Sequence, residues 1–163
     1  MEKQSVRLLC FASILLTLWS CSTEDPWRPA LEQSDLTKPD AVVAVLKAGV
    51  SKTAKARAEL FFAEGIEMRE QATKGKRSWG PVVKSFGASA MFYPRPLALM
   101  GDAEASLRDI RPYPSAKHLQ LKHNILKGAL DKYKSALAAD DILQELNSVQ
   151  RTELNHYLQC TMR

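Results

Sequence analysis

The chain is poor in the residues that usually build catalytic and metal centres. It carries three cysteines and three histidines in 163 residues. Cys10, Cys21 and Cys160 are far apart, and His118 and His123, five residues apart, do not share a helical face, while His156 is remote. No Cys/His pair or cluster has the spacing of a zinc site, so no metal or other cofactor is expected. There is no Gly-rich phosphate loop and no Gly-x-Ser-x-Gly step. Glycine is scarce, with seven residues, and no long β-branched run follows residue 50. Both shortages argue against a sheet, and the abundance of Ala, Leu, Lys and Glu favours helix. The net charge of +5 is modest and its lysines are scattered, with no basic block interleaved with aromatics. Nucleic-acid binding is therefore not expected, whereas an acidic partner or anionic lipid remains open.

What is present begins with a leader. Lys3 and Arg7 precede an apolar run from Leu8 to Trp19. Twelve apolar residues are too few to cross a bilayer but suit the core of a secretory signal. The run closes on Leu18-Trp19-Ser20-Cys21, which resembles the lipobox of bacterial lipoproteins: an aliphatic residue, then a small one just before an obligatory cysteine. Trp19 stands where that family usually has a small residue. The resemblance implies residues 1–20 as signal peptide, acylation (palmitate-type) of Cys21, and a membrane anchor facing the periplasm. Ser22 in place of Asp favours the outer membrane by the family's sorting habit. The alternative is ordinary cleavage after Ser22 and a soluble secreted protein.

Residues 21–39 combine Ser, Thr, Asp and Glu with Pro26, Pro29 and Pro39, a composition that buries little, and read as a flexible tether from which Trp27 and Leu31 can dock. Helical periodicity fills residues 40–163. A short apolar helix starts at Asp40 and stops at Gly49. Ser51 caps a second helix to about Thr73, with Leu60, Phe61, Ala63, Gly65 and Met68 on its buried side. Ser78 caps a third, stopped by Pro94, and Pro96 opens a fourth that ends near Arg111. Pro112-Tyr113-Pro114 connects to a long fifth helix from Ser115, and a last helix follows Asp140 and Asp141. The Phe92-Tyr93 pair reads as core.

Within this pattern a spacing recurs. Val82, Phe86, Ser89, Ala90 and Pro94 match Ala129, Tyr133, Ala136, Leu137 and Asp141: a small or medium residue, an aromatic four later, a small residue at seven, an apolar one at eight and a breaker at twelve. The spacing resembles the second helix of a tetratricopeptide repeat. Leu99, Met100 and Gly101 resemble the first helix's Leu-Gly step, and Ala63-Glu64-Gly65 occupies a similar place. The two units lie 47 residues apart, against about 34 in the family, with an extension near residues 110–120 making up the excess. The resemblance implies an all-α hairpin stack, a TPR-like α-solenoid with repeats at about 54–94 and 96–141. Helix 41–49 would cover one open end and a capping helix at 142–160 the other.

It also implies a protein-binding groove lined by the first helix of each pair, with Glu64, Glu67, Asp102, Arg108 and Arg111 as candidate positions. The expected function is a membrane-tethered, non-catalytic scaffold for protein partners in the cell envelope. The competing reading is a periplasmic enzyme acting on cell-wall material, built on the row Glu64, Glu67 and Glu70. A solvated helix face explains that row more simply, since Glu70 and Lys74 are an i,i+4 pair.

Overall fold

The structure, a computed structural model, describes residues 28–110 and 116–161. The side chains of residues 116–118 and 160–161 are not among those described. The leader, Cys21, Trp27, Arg111 and the Pro112-Tyr113-Pro114 connector therefore lie outside it. The described residues are all-helical. After a 3₁₀ turn at Gln33–Thr37 come α1 (Pro39–Ala48), α2 (Lys52–Thr73), α3 (Gly80–Phe92), α4 (Pro96–Arg108), α5 (Ala116–Leu143) and α6 (Ser148–Thr161).

Punctuation sets the boundaries. Ser51 Oγ accepts from the amide of Ala54 and caps α2. Gly49 and Gly75 take the positive φ values that end α1 and α2, +89° and +70°. Pro39, Pro81 and Pro96 sit in the first turns of α1, α3 and α4, where a missing N–H costs nothing. Ser78 does not cap α3; Trp79 takes the N-cap place without a side-chain hydrogen bond. Helix α4 stops at Arg108, short of Arg111. Asp141 is not a breaker. Helix α5 runs through it to Leu143, and the turn comes at Gln144, whose φ is +52°. The last helix thus starts at Ser148 rather than 142. Asn147 and Gln150 form a reciprocal cap there, each side-chain oxygen accepting the other's backbone N–H at 2.9 and 3.0 Å.

Successive helices α2 to α5 pack pairwise as a stack, with α6 leaning on α5. The key to the stack is Phe86 on α3, which is fully buried. A Cβ placed on Gly65 of α2 or on Gly101 of α4 would stand 2.9 Å from its ring carbons. The two glycines therefore let both neighbouring backbones close on one ring. Phe62 meets it edge-on at 5.6 Å between centroids. Val82, Ser89 and Ala90 are buried around it, and Ser89 Oγ donates to the carbonyl of Ala58 on α2 at 2.9 Å. In the second unit Ala129, Tyr133 and Ala136 are buried, and Leu137 is half-buried.

Three expectations are corrected. Leu60 and Ala63 of α2 face outward, Leu60 with 73% exposure; the inward stripe is Ala58, Gly65 and Ala72. Two apolar stripes compete on this helix, and the one offering small residues wins because Phe86 needs the room. Helix α1 does not cover the free side of α2; it packs on α5 and the 3₁₀ turn. The tether does not run free to residue 39. Leu31 and Leu36 are buried in the core, and the Leu31 amide donates to the carbonyl of Met91 at 3.0 Å. Two leucines in a polar stretch suffice to fold it back, and the docking expected of Leu31 is what occurs.

Arg95 ties the layers together at one end. Its guanidinium bonds Glu59 of α2 at 2.5 Å and, through Nε, Glu145 of the α5–α6 turn at 2.6 Å, and lies 4.6 Å from the Phe62 ring centroid. Glu145 also accepts from the Leu97 amide in the first turn of α4.

Substitutions around Phe86 test this account by denaturant unfolding. Phe86→Ala is expected to cost about 3–5 kcal/mol, and Gly101→Ala about 1–3 kcal/mol by overpacking. Trimming the ring, Gly101→Ala with Phe86→Leu, should cost less than the sum of the single changes. Gly128→Ala, where a Cβ meets nothing within 4 Å, should instead stabilise by up to about 1 kcal/mol.

Candidate functional site

The first helices of the hairpins, α2 and α4, continue into α6, which has no second helix laid over it among the described residues. Leu154 anchors α6, being 2% exposed, while Leu146 and Leu158 pack beside the same core. Asp140, almost fully buried near the end of α5, holds the start of α6. Its carboxylate accepts from the Leu146 amide at 2.8 Å and from Arg151 at 2.6 Å. So fixed, α6 stands off from α4 and leaves a cleft of about 450 Å³.

Met100, Leu107, Leu154 and the rings of Tyr133 and Tyr157 give the cleft its apolar character; Glu104, Arg108 and Glu153 supply charge. The two rings stack at 6.1 Å between centroids with planes 18° apart. Tyr133 is the second-unit counterpart of Phe86, but here only part of a helix covers it. Burial, with the nearby Glu104 charge as a smaller cause, pushes its phenol up to about 12, so it is a neutral hydrogen-bonding group near pH 7. Tyr157 remains 57% exposed.

Charges reach the cleft along the seam between α2 and α4. Glu104 meets Arg69 of α2 at 3.7 Å and Arg108 Nε at 3.1 Å, and Arg108 lies 5.1 Å from the Trp79 ring centroid. Glu153 makes no ion pair among the described residues. The arrangement offers an apolar floor, a neutral phenol and an uncompensated carboxylate. It suits a bulky side chain with a cation beside it.

Of the residues expected to line a groove, only Arg108 lies here. Glu64 accepts from Ser85 Oγ at 3.1 Å, Glu67 from Gln71 at 3.2 Å, and Glu70 pairs with Lys74 at 2.5 Å. The glutamate row thus points to separate neighbours and does not converge. The Lys74 ammonium, by hydrogen bond and charge, lowers the Glu70 carboxyl below its ordinary value. Asp102 is corrected outright: it is fully buried, with Lys132 Nζ of α5 2.8 Å from Oδ2. Burial pushes the Asp102 carboxyl up, and the Lys132 charge opposes it. Gly87 leaves room beside this carboxylate for Gln33, whose side-chain atoms would stand 3.2–3.3 Å from a Cβ there. Asp102 therefore braces α4 to α5 and the 3₁₀ turn instead of meeting a partner. Arg111 lies outside the described residues.

Among the described residues no group of three His, Cys, Asp or Glu side chains is placed to hold a metal ion. No helix among them is long and apolar enough to cross a membrane. No family model matches the chain, and no curated protein or solved structure does either.

The brace gives a pH-dependent prediction. Lys132→Met leaves the Asp102 charge buried alone and should cost about 3–5 kcal/mol near neutral pH. In that variant the carboxyl rises further, so the folded state binds the proton more tightly than the unfolded chain does. The deficit should shrink as pH falls towards the unfolded carboxylate value. Asp102→Leu with Lys132→Met should recover most of the loss. Urea unfolding of the parent and variants at neutral and mildly acidic pH checks each point.

Proposed function

We propose that this protein is a non-catalytic adaptor that holds a segment of another protein in the cleft between α4 and α6, at a bacterial envelope membrane. The observation that carries the reading is the Tyr133–Tyr157 pair over an apolar floor, with Glu153 unpaired at the edge. Aromatic anchors in a partly desolvated cleft are where binding energy concentrates in protein interfaces. The matching segment presents an aliphatic or aromatic side chain next to Lys or Arg.

Two further features support the reading. The Phe86 clamp uses the Gly65 and Gly101 positions that resemble tetratricopeptide first-helix glycines, and such stacks present partner-binding surfaces. The lipobox-like Leu18-Trp19-Ser20-Cys21 supports attachment to the membrane, the outer one by the Ser22 criterion. Multiple acyl chains on one cysteine give firm anchoring, because each buried methylene adds about 0.8 kcal/mol.

A photoreactive residue at position 157, used in cells, is expected to give a discrete cross-linked partner that the same probe at the exposed Leu60 of α2, which does not line the cleft, does not. With that partner purified, Tyr157→Ala or Glu153→Lys should weaken binding at least tenfold. Equal cross-linking from both positions, or unchanged affinity, would remove the cleft from the function. Mass spectrometry of the N-terminal peptide reads the anchor separately: an acylated Cys21 at the mature N-terminus is expected, and an unmodified Cys21 rejects it.

A further inference from the structure

Helix α5 is far longer than anything it packs on. Its 28 residues extend about 42 Å, against about 20 Å for the 13 residues of α4. Its covered part begins near Ile125, which with Gly128 and Ala129 faces Val83, Ser106 and Asp109. Upstream of that point the helix overhangs the fold. Leu119 and Leu121 are 63% and 52% exposed there, and Leu126, one residue beyond Ile125, is 46% exposed.

The overhang carries charge of one sign. Between Asp109 and Asp131 the chain has no acidic residue but holds Arg111, Lys117, Lys122 and Lys127, so this stretch accounts for four of the net +5. Lys122 and Lys127 make no ion pair among the described residues. Leu119, Lys122, His123 and Leu126 fall at i, i+3, i+4 and i+7, which is one face of the helix. A leucine line flanked by lysines is amphipathic; Leu119, His123, Leu126 and Lys127 are exposed and Lys122 is half-buried at its inner edge.

We infer that the N-terminal half of α5 docks on an anionic phospholipid surface, with Leu119 and Leu126 entering the acyl boundary and Lys122 and Lys127 on headgroup phosphates. The composition of the face selects lipid over an acidic protein. Protein interfaces favour Tyr, Trp and Arg and are poor in Lys. This face has none of the first three among its described side chains. Lysine stems lie along apolar surface while their ammonium groups reach outward, which is the habit of interfacial helices.

The position of the overhang adds to the argument. The chain enters the fold beside Met91, at the C-terminal end of α3, where Leu31 is bonded. The overhang leaves beyond the C-terminal end of α4, at the opposite end of the stack. A surface contact there is a second attachment, independent of anything at Cys21, and it would lay the stack along the membrane.

Vesicle flotation of the full chain tests this, with Cys21→Ser in every arm so that no acyl chain contributes and the leader contributes equally. Vesicles of phosphatidylcholine are compared with vesicles containing one third phosphatidylglycerol. Each lysine at an anionic surface contributes about fivefold in affinity. The parent should therefore prefer the anionic vesicles at least tenfold more strongly than Lys122→Glu with Lys127→Glu, whose thermal unfolding should be unchanged. Leu126→Trp should gain quenching by brominated phosphatidylglycerol over the parent. No preference for anionic vesicles, full binding by the charge-reversed variant, or tighter binding to a soluble polyglutamate helix than to vesicles would each overturn the inference. Acylation of Cys21 and cross-linking at residue 157 are read in other experiments, so the cleft reading and this one fail separately.

Discussion

The fold depends on how closely α2 and α4 approach a single phenyl ring. Phe86 has no space to move: both flanking backbones reach it at positions where a methyl group would collide. That contact sets the separation of three consecutive helices. It explains why residues that look unremarkable alone, Gly65, Gly101, Ala58 and Ser89, line up on the inward faces. Once these distances are fixed, Asp102 of α4 faces Lys132 of α5 and Arg95 reaches both Glu59 and Glu145. The charged contacts refine the register of a stack whose spacing the ring has set. A buried ion pair adds little net stability over apolar substitutes, but it penalises any slip that separates its partners.

The same geometry applied once more, with poorer covering, produces the cleft. Tyr133 repeats the place of Phe86, yet its outer neighbour is α6, held mainly through Leu154 and the Asp140 carboxylate. A ring that would be sealed between two hairpins is sealed on one side and topped by the exposed Tyr157. An open-ended stack presents its interior chemistry at its edge, where an outside segment can complete the packing. The cleft and the less covered ring then come from one cause: among the described residues no further helix is laid over α6.

The sequence made the helices legible wherever a residue had a local reason to start or stop one. Ser51, Gly49, Gly75 and Pro96 did so, and the bounds of α2 follow from them. The aromatic and small residues of the recurring spacing also landed in the core. What local pattern hid was partner choice. Helix α1 is apolar enough to sit on either end of the stack, and only the folded-back Leu31 and Leu36 decide that it lies on α5. Asp102 was read as a surface charge because its neutralising lysine is thirty residues away in the chain. The Asn147–Gln150 cap was a readable signal for the start of α6, overshadowed by the two aspartates before it. Of the cleft residues, Arg108 is expected at a binding surface from the sequence, while nothing in the local pattern of α6 distinguishes the buried Leu154 from the exposed Tyr157.

The two surfaces divide the molecule's polarity in a way that bears on how it works. The cleft edge holds Glu104 and Glu153 beside Arg108, whereas the stretch from residue 110 to residue 130 has basic residues and no acidic one. Opposite charges at separate places favour orientation over simple adhesion, because an anionic surface attracts one region and repels the other. A chain attracted through α5 would keep Glu153 and the cleft away from the headgroups and open to a partner carrying a cation. The fixed α5 is what makes this possible. One rigid helix braces α4 through Lys132, places Tyr133 in the cleft and carries the lysine–leucine face beyond the stack, so that a contact at one end cannot rotate without moving the other.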